Sequence, residues 1–234
     1  MDRAHRQELK HDRFVEQVGH TVEYAAGHRQ QVIRYGAIAL AVLVLALAAY
    51  WYFRSQEEAR QEALRTAIRT QEAQVGQGQA AFMLTFGTEA EKQKAADKAW
   101  NDLASRHAGS DEAAIAHFYM GINAADRGNS GEAEKHLKQA IDAGEEPYAS
   151  QARLSLATIY AGSTGKAADA EKLLREIVNK PTVLVSKEQA TLNLARLIGK
   201  TRPDEARKLL EPLRTERGPI SRAALTILGE LPAK

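Results

Sequence analysis

The stretch from Tyr35 to Phe53, YGAIALAVLVLALAAYWYF, carries no charge between Arg34 and Arg54 and constrains this chain more than any other. Wound as an α-helix it is about 28 Å long, close to the roughly 30 Å hydrocarbon core of a bilayer. Its body is Ala, Leu, Val and Ile, with Tyr35 at one end and Tyr50, Trp51, Tyr52 and Phe53 at the other. Rings that are part apolar and part polar settle at the headgroup level. A single membrane-spanning helix is therefore expected over residues 35–53. The competing readings are a buried core helix and the apolar region of a signal peptide, but the run is long for the latter and 34 residues precede it. Arg54, Ser55, Gln56, Glu57 and Glu58 follow without a small-residue cleavage pattern, so the anchor is expected to be retained.

The rest of the chain has the composition of a helical domain. Of 234 residues about 180 lie beyond the anchor, enough for one ordinary soluble domain. Ala, Glu, Lys, Leu and Arg dominate there and β-branched runs are short, Thr182–Val185 being the one brief strand candidate. A net charge of +2 with mixed signs is no footprint for nucleic acid. The absence of cysteine excludes disulfides and thiolate metal sites, and leaves the redox compartment open.

Residues 1–34 read as a charged tail in which Leu9, Phe14, Val18, Val22 and Ala25 or Ala26 recur at spacings compatible with an amphipathic surface helix; a polar, partly ordered tail fits equally well. His5, His11, His20 and His28 in this tail are six, nine and eight residues apart, which does not gather their imidazoles on one helix face. Residues 54–79 read as a helical stalk continuing from the anchor, broken at Gly76-Gln77-Gly78. That Gly-x-Gly follows no strand and has Ala81 where a third glycine would stand, so it is a hinge and not a dinucleotide loop.

Residues 80–234 repeat. Ala96, Trp100 and Leu103 recur as Ala133, Leu137 and Ala140, as Ala170, Leu174 and Ile177, and as Ala206, Leu210 and Leu213. The small residues Gly121, Ala157 and Ala195 stand eleven to thirteen positions before the last three sets. This predicts two helices per repeat with a small residue at their crossing. The period of about 36 to 38 residues lies near the roughly 34 of a tetratricopeptide repeat. Breaks at 107–110, 144–147, 179–182 and 217–219 separate the copies, with Ser110 or Asp111, Ser186 and Ser221 as expected N-caps. A helix over 220–231 would close the open end. The expected fold is all-α, a single transmembrane helix followed by a tetratricopeptide-like helical-hairpin solenoid.

Catalytic patterns are incomplete in this chain. Gly162-Ser163-Thr164-Gly165-Lys166 resembles the end of a phosphate loop, but Tyr160 and Ala167 stand where Gly and the magnesium-binding hydroxyl belong. His107, His117 and His136 fall on different repeat helices, and there is no Gly-x-Ser-x-Gly turn. Neither an enzyme activity, a metal, a cofactor nor a small-molecule substrate is expected. Recognition is what remains, because the first helix of each pair in a tetratricopeptide array lines a concave groove that can receive a peptide or a partner helix. In this register that groove would carry Phe118, Ile122 and Asp126, then Leu154 and Thr158, then Leu192 and Arg196, with Phe118 and Ile122 equally able to serve as core and Leu154 and Leu192 reading as core more than as contact.

The order HRQELKHDRFVEQV, then the anchor, then AWNDLASRHAGSDEAAIAHFYMGINAADRGNSGEAEKHLKQAI resembles the ancillary subunit family of the bacterial Sec translocon over nearly the full length. That resemblance implies a single-pass protein of the bacterial inner membrane with a cytoplasmic N-terminus. It also implies a periplasmic domain that associates with translocon subunits and periplasmic chaperones. An adapter or assembly factor for another cell-envelope complex, in cytochrome maturation, cell division or outer-membrane assembly, would need the same anchor and repeats. Arginines near the anchor, Arg29 and Arg34 before it and Arg54, Arg60, Arg65 and Arg69 after it, taken alone favour the repeats inside. Long domains translocate regardless of such charges, so the expectation follows the resemblance and places the repeats outside the cytoplasm.

Overall fold

A computed structural model describes residues 29–76, 84–144, 146–216 and 218–232, and these residues fold as an all-α chain. The expected tail helix falls outside the described residues. The helices are α1 (Arg29–Gln71), α2 (Glu89–Arg106), α3 (Asp111–Asp126), α4 (Ser130–Ala143), α5 (Glu146–Ala161), α6 (Ala167–Asn179), α7 (Lys187–Ile198), α8 (Pro203–Leu210) and α9 (Pro219–Glu230), with a 3-10 turn at Pro212–Thr215. The only strands among the described residues are two-residue pieces, β1 (Gln74–Val75) and β2 (Thr85–Phe86), paired in parallel. The strand candidate Thr182–Val185 is instead a loop closed by a hydrogen bond from the Thr182 amide to the Val185 carbonyl.

Two compact units divide between Glu58 and Ala59. In the first, α1 presents Leu40, Leu43, Leu45, Tyr50, Trp51 and Phe53 to the exterior, every one more than half exposed. It is long and apolar enough to cross a membrane, and none of its apolar window is buried. An apolar stretch of that length matches the thickness of a bilayer's hydrocarbon core.

The second unit begins inside what reads as the stalk. Ala67 and Ala73 are buried, and Ala63, Leu64 and Ile68 pack with Trp100, Leu103 and Ile115. Gln71 fastens this end of α1. Its Oε1 accepts from the Trp100 indole at 2.9 Å and from Asn123 Nδ2 at 3.1 Å, and its own amide donates to Asn123 Oδ1 at 3.2 Å. Glu112, buried at the start of α3, accepts from Gln61 at 2.8 Å and pairs with Arg60 at 3.2 Å.

From α2 onward each helix packs on its neighbour in sequence, and α3 also touches α5 as α7 touches α9. Every position of the repeated triplet, from Ala96, Trp100 and Leu103 to Ala206, Leu210 and Leu213, is buried. So are the crossing residues Gly121, Ala157 and Ala195. Gly121 shows why the crossing needs a small residue: a Cβ there would lie 2.7 Å from Leu137 Cγ. Helix starts follow local chemistry. The Thr88 hydroxyl accepts from the Glu91 amide while the Glu91 carboxylate accepts from the Thr88 amide, and Ser110 and Ser186 each cap their helix through the amide three residues on. Ser221 does not cap α9. That helix starts at Pro219 behind Gly218, whose φ of 84° demands glycine, and the Ser221 hydroxyl donates to the Arg214 carbonyl.

A second periodicity runs through the charges. The residue after each of the first three repeat alanines is acidic, and it pairs with a base at or near the start of the next repeat's second helix: Asp97 with Arg127 at 3.0 Å, Glu134 with Lys166 at 2.5 Å, and Glu171 with Arg202. In the fourth copy Arg207 replaces the acid, and its guanidinium donates to the Pro232 carbonyl. The ladder ends where the chain's last helix takes over.

Candidate binding cleft

Three helices build a cleft of about 440 Å³ in the second unit: α5 through Ala157, Thr158 and Ala161, α6 through Leu174, and α7 through Asn193, Arg196 and Leu197, with Lys200 from the turn that follows α7. Positions one turn apart share a helix face, which aligns Ala157 with Ala161 and Asn193 with Leu197. The two alanines on α5 are too short to fill the space between the helices, and Leu174, buried beneath, supplies an apolar floor. Gly199 keeps right-handed helical angles after α7 has ended at Ile198, so the turn continues and places Lys200 one turn beyond Arg196.

The polar groups of the cleft divide into used and unused. The Thr158 hydroxyl donates to the Leu154 carbonyl at 3.0 Å, and the Asn193 amide donates to the Gln189 carbonyl at 3.0 Å. Arg196 and Lys200 are exposed, and among the described residues neither has an ion-pair partner. No carboxylate lines the cleft.

The groove residues expected from the repeat register reach several different places. Thr158 and Arg196 meet in the cleft. Phe118 and Ile122 are half-buried against the cluster of Leu137, Ala140, Ala152 and Leu156, and the Phe118 ring meets those of Tyr119 and Tyr148 edge to face. Leu192 is buried, and Leu154 packs half-buried beside it, so both act as core. Asp126 is exposed beside Asn123, Arg127 and Gln71 at a separate, smaller depression. Asn193, Leu197 and Lys200 escape a reading by repeat register. The available signal was the spacing of four between Arg196 and Lys200, but Lys200 follows a glycine and reads as part of a break.

Two further features lie outside the cleft. His117 on α3 and His136 on α4 come together, Nδ1 to Nδ1 at 3.2 Å with stacked rings, although the sequence places them on different helices. Burial lowers both pKa values; the neighbouring His136 and Lys135 lower His117 further, while Glu132 partly counteracts the shift at His136. Among the described residues no group of three or more His, Asp or Glu side chains is placed to hold a metal. A wider cleft of about 650 Å³ separates the Ala59–Thr70 part of α1 from α2, lined by Ala63, Ala99 and Leu103 and rimmed by Glu62, Lys98 and Arg106.

Comparison with protein-family models, with curated proteins and with solved structures finds no match to this chain.

Proposed function

We propose that this protein is a non-enzymatic, membrane-anchored scaffold for protein–protein interaction, its repeats forming a tetratricopeptide-like solenoid. In this reading it is an ancillary subunit of the Sec translocon, fixed in a bacterial inner membrane by α1, and its repeat domain links the channel to periplasmic chaperones. The observation that carries the reading is the fourfold recurrence of the buried Ala, Leu or Trp, and apolar triplet on alternate helices, its last member Leu213 in the 3-10 turn after α8, preceded in the chain by one helix with a wholly unburied apolar window. Repeats of this kind bury their own core through neighbours and leave faces between helices for partners.

A photoreactive amino acid placed at Thr158 in the full chain, activated in native membranes, tests the reading. Covalent adducts with channel subunits or periplasmic chaperones are expected. Adducts confined to another envelope complex would transfer the scaffold to that complex, and no adduct from Thr158 or Asp126 would overturn it. Orientation has its own test: protease added to intact spheroplasts removes the repeat domain if it is outside, whereas full protection overturns that placement.

A further inference from the structure

We propose that the cleft between α5, α6 and α7 binds an acidic peptide segment in which an apolar residue lies beside side-chain carboxylates. The proposal rests on the scaffold reading and specifies what that scaffold holds. Its ground is a contrast in charge. Around the cleft, Arg153, Lys166, Arg175 and Arg202 are each matched to a glutamate of their own or a neighbouring helix. Arg196 and Lys200 are not matched among the described residues, and they stand one turn apart on the rim of a cavity without any carboxylate. A guanidinium and an ammonium at that spacing present donors to two carboxylates, or to both oxygens of one.

The floor supplies the second half of the recognition. Ala157, Leu174 and Leu197 offer apolar surface below the two cations, and the short Ala161 side chain keeps the mouth open. A volume of about 440 Å³ accommodates an aliphatic side chain with its flanking backbone. Asn193 retains one amide hydrogen beyond the one given to Gln189, so the side of the cleft can donate to a peptide carbonyl. An acidic residue next to a leucine matches this arrangement, whereas a basic or purely polar segment would meet the rim charges unfavourably or leave the floor uncovered.

The test uses the full chain in detergent micelles and a rhodamine-labelled Ser-Glu-Leu-Glu-Ser peptide blocked at both ends, followed by fluorescence anisotropy. Saturable binding that weakens with added salt is expected, because the rim charges are exposed. Replacing both cations, R196A with K200A, should weaken it about tenfold or more, the scale of losing charge-assisted hydrogen bonds. The thermal midpoint should not change, since both side chains are exposed. Thr158→Trp, which fills the cleft and keeps both charges, should weaken binding as well. Equal binding of a Ser-Gln-Leu-Gln-Ser probe, binding only by a version with a free C-terminal carboxylate, or undiminished binding by the double variant would each overturn the proposal. A crosslinked partner at Thr158 with no binding of the acidic probe would remove this ligand and leave the scaffold. Probe binding with no crosslinked partner at any position would remove the scaffold and leave the site.

Discussion

At the scale of single residues, Gly121 is the position where the packing tolerates least. A Cβ there would stand 2.7 Å from Leu137 Cγ and 3.2 Å from the Leu137 backbone nitrogen, and the backbone atom cannot swing away. Gly121→Ala gains helix propensity but forces α3 and α4 apart, so the net effect is destabilising by about 1–3 kcal/mol. Leu137→Ala removes the nearer contact and should cost about 2–5 kcal/mol alone, Leu137 being fully buried. Because Leu137→Ala removes the side-chain atoms that an added Cβ at 121 would strike, the double variant should be more stable than the sum of the single losses implies. Denaturant unfolding of the four proteins measures this, and strict additivity would show that the crossing is looser than the geometry implies. Gly121 was legible from sequence as a small residue at a fixed offset. The atom that it makes room for was not.

At the scale of elements, charge pairs set how one repeat lies on the next. Glu134 on α4 accepts from Lys138 on its own helix, from Tyr160 on α5 and from Lys166 at the start of α6. Lys138 first, then Lys166 and Tyr160, hold its carboxyl well below the usual range, at about 2 against an ordinary 4.5. A carboxyl whose folded pKa is depressed contributes stability that is complete above its unfolded pKa and disappears as pH falls through its folded one. The thermal midpoint should therefore fall between about pH 4.5 and pH 2, and Glu134→Gln should flatten that descent. Superimposable acid profiles for the two proteins would mean that Glu134 does not couple the repeats. The exposed Asp97–Arg127 pair belongs to the same ladder but contributes at most about 1 kcal/mol, so its role is register more than stability.

At the scale of the whole molecule, the apolar girdle of α1 decides where the chain can reside. Leu45 and Trp51 are about 70 % exposed, with values of 69% and 71%, and Leu43 and Phe53 are exposed on other sides of the same helix. Water would charge roughly 25 cal/mol for each Å² of that surface, whereas acyl chains remove the penalty. The full chain should stay with membranes through alkaline carbonate extraction. A charge at the middle of the span, as in Leu45→Arg, costs about 2.5–3.5 kcal/mol of insertion and should release a measurable fraction. Quantitative release of the unaltered chain by carbonate would show that α1 does not span.

Local, periodic information determined much of this protein. An uninterrupted apolar run announces a helix long and apolar enough to cross a membrane, and offsets of zero, four and seven announce which face of each repeat helix turns inward, because both follow from helix geometry. That is why every triplet position marked on the sequence is buried. Periodicity carries no information about distance between helices, and there the tertiary structure decided. It put Phe118 and Ile122 against Leu137 and Leu156, joined His117 to His136, drew α1 beyond Ala59 into the packed unit, and paired β1 with β2. The cleft is of the same kind. Thr158 and Arg196 line one cleft because Ala157 and Ala161 leave between α5 and α7 a gap that no side chain fills, a sum over three helices that no window of sequence contains.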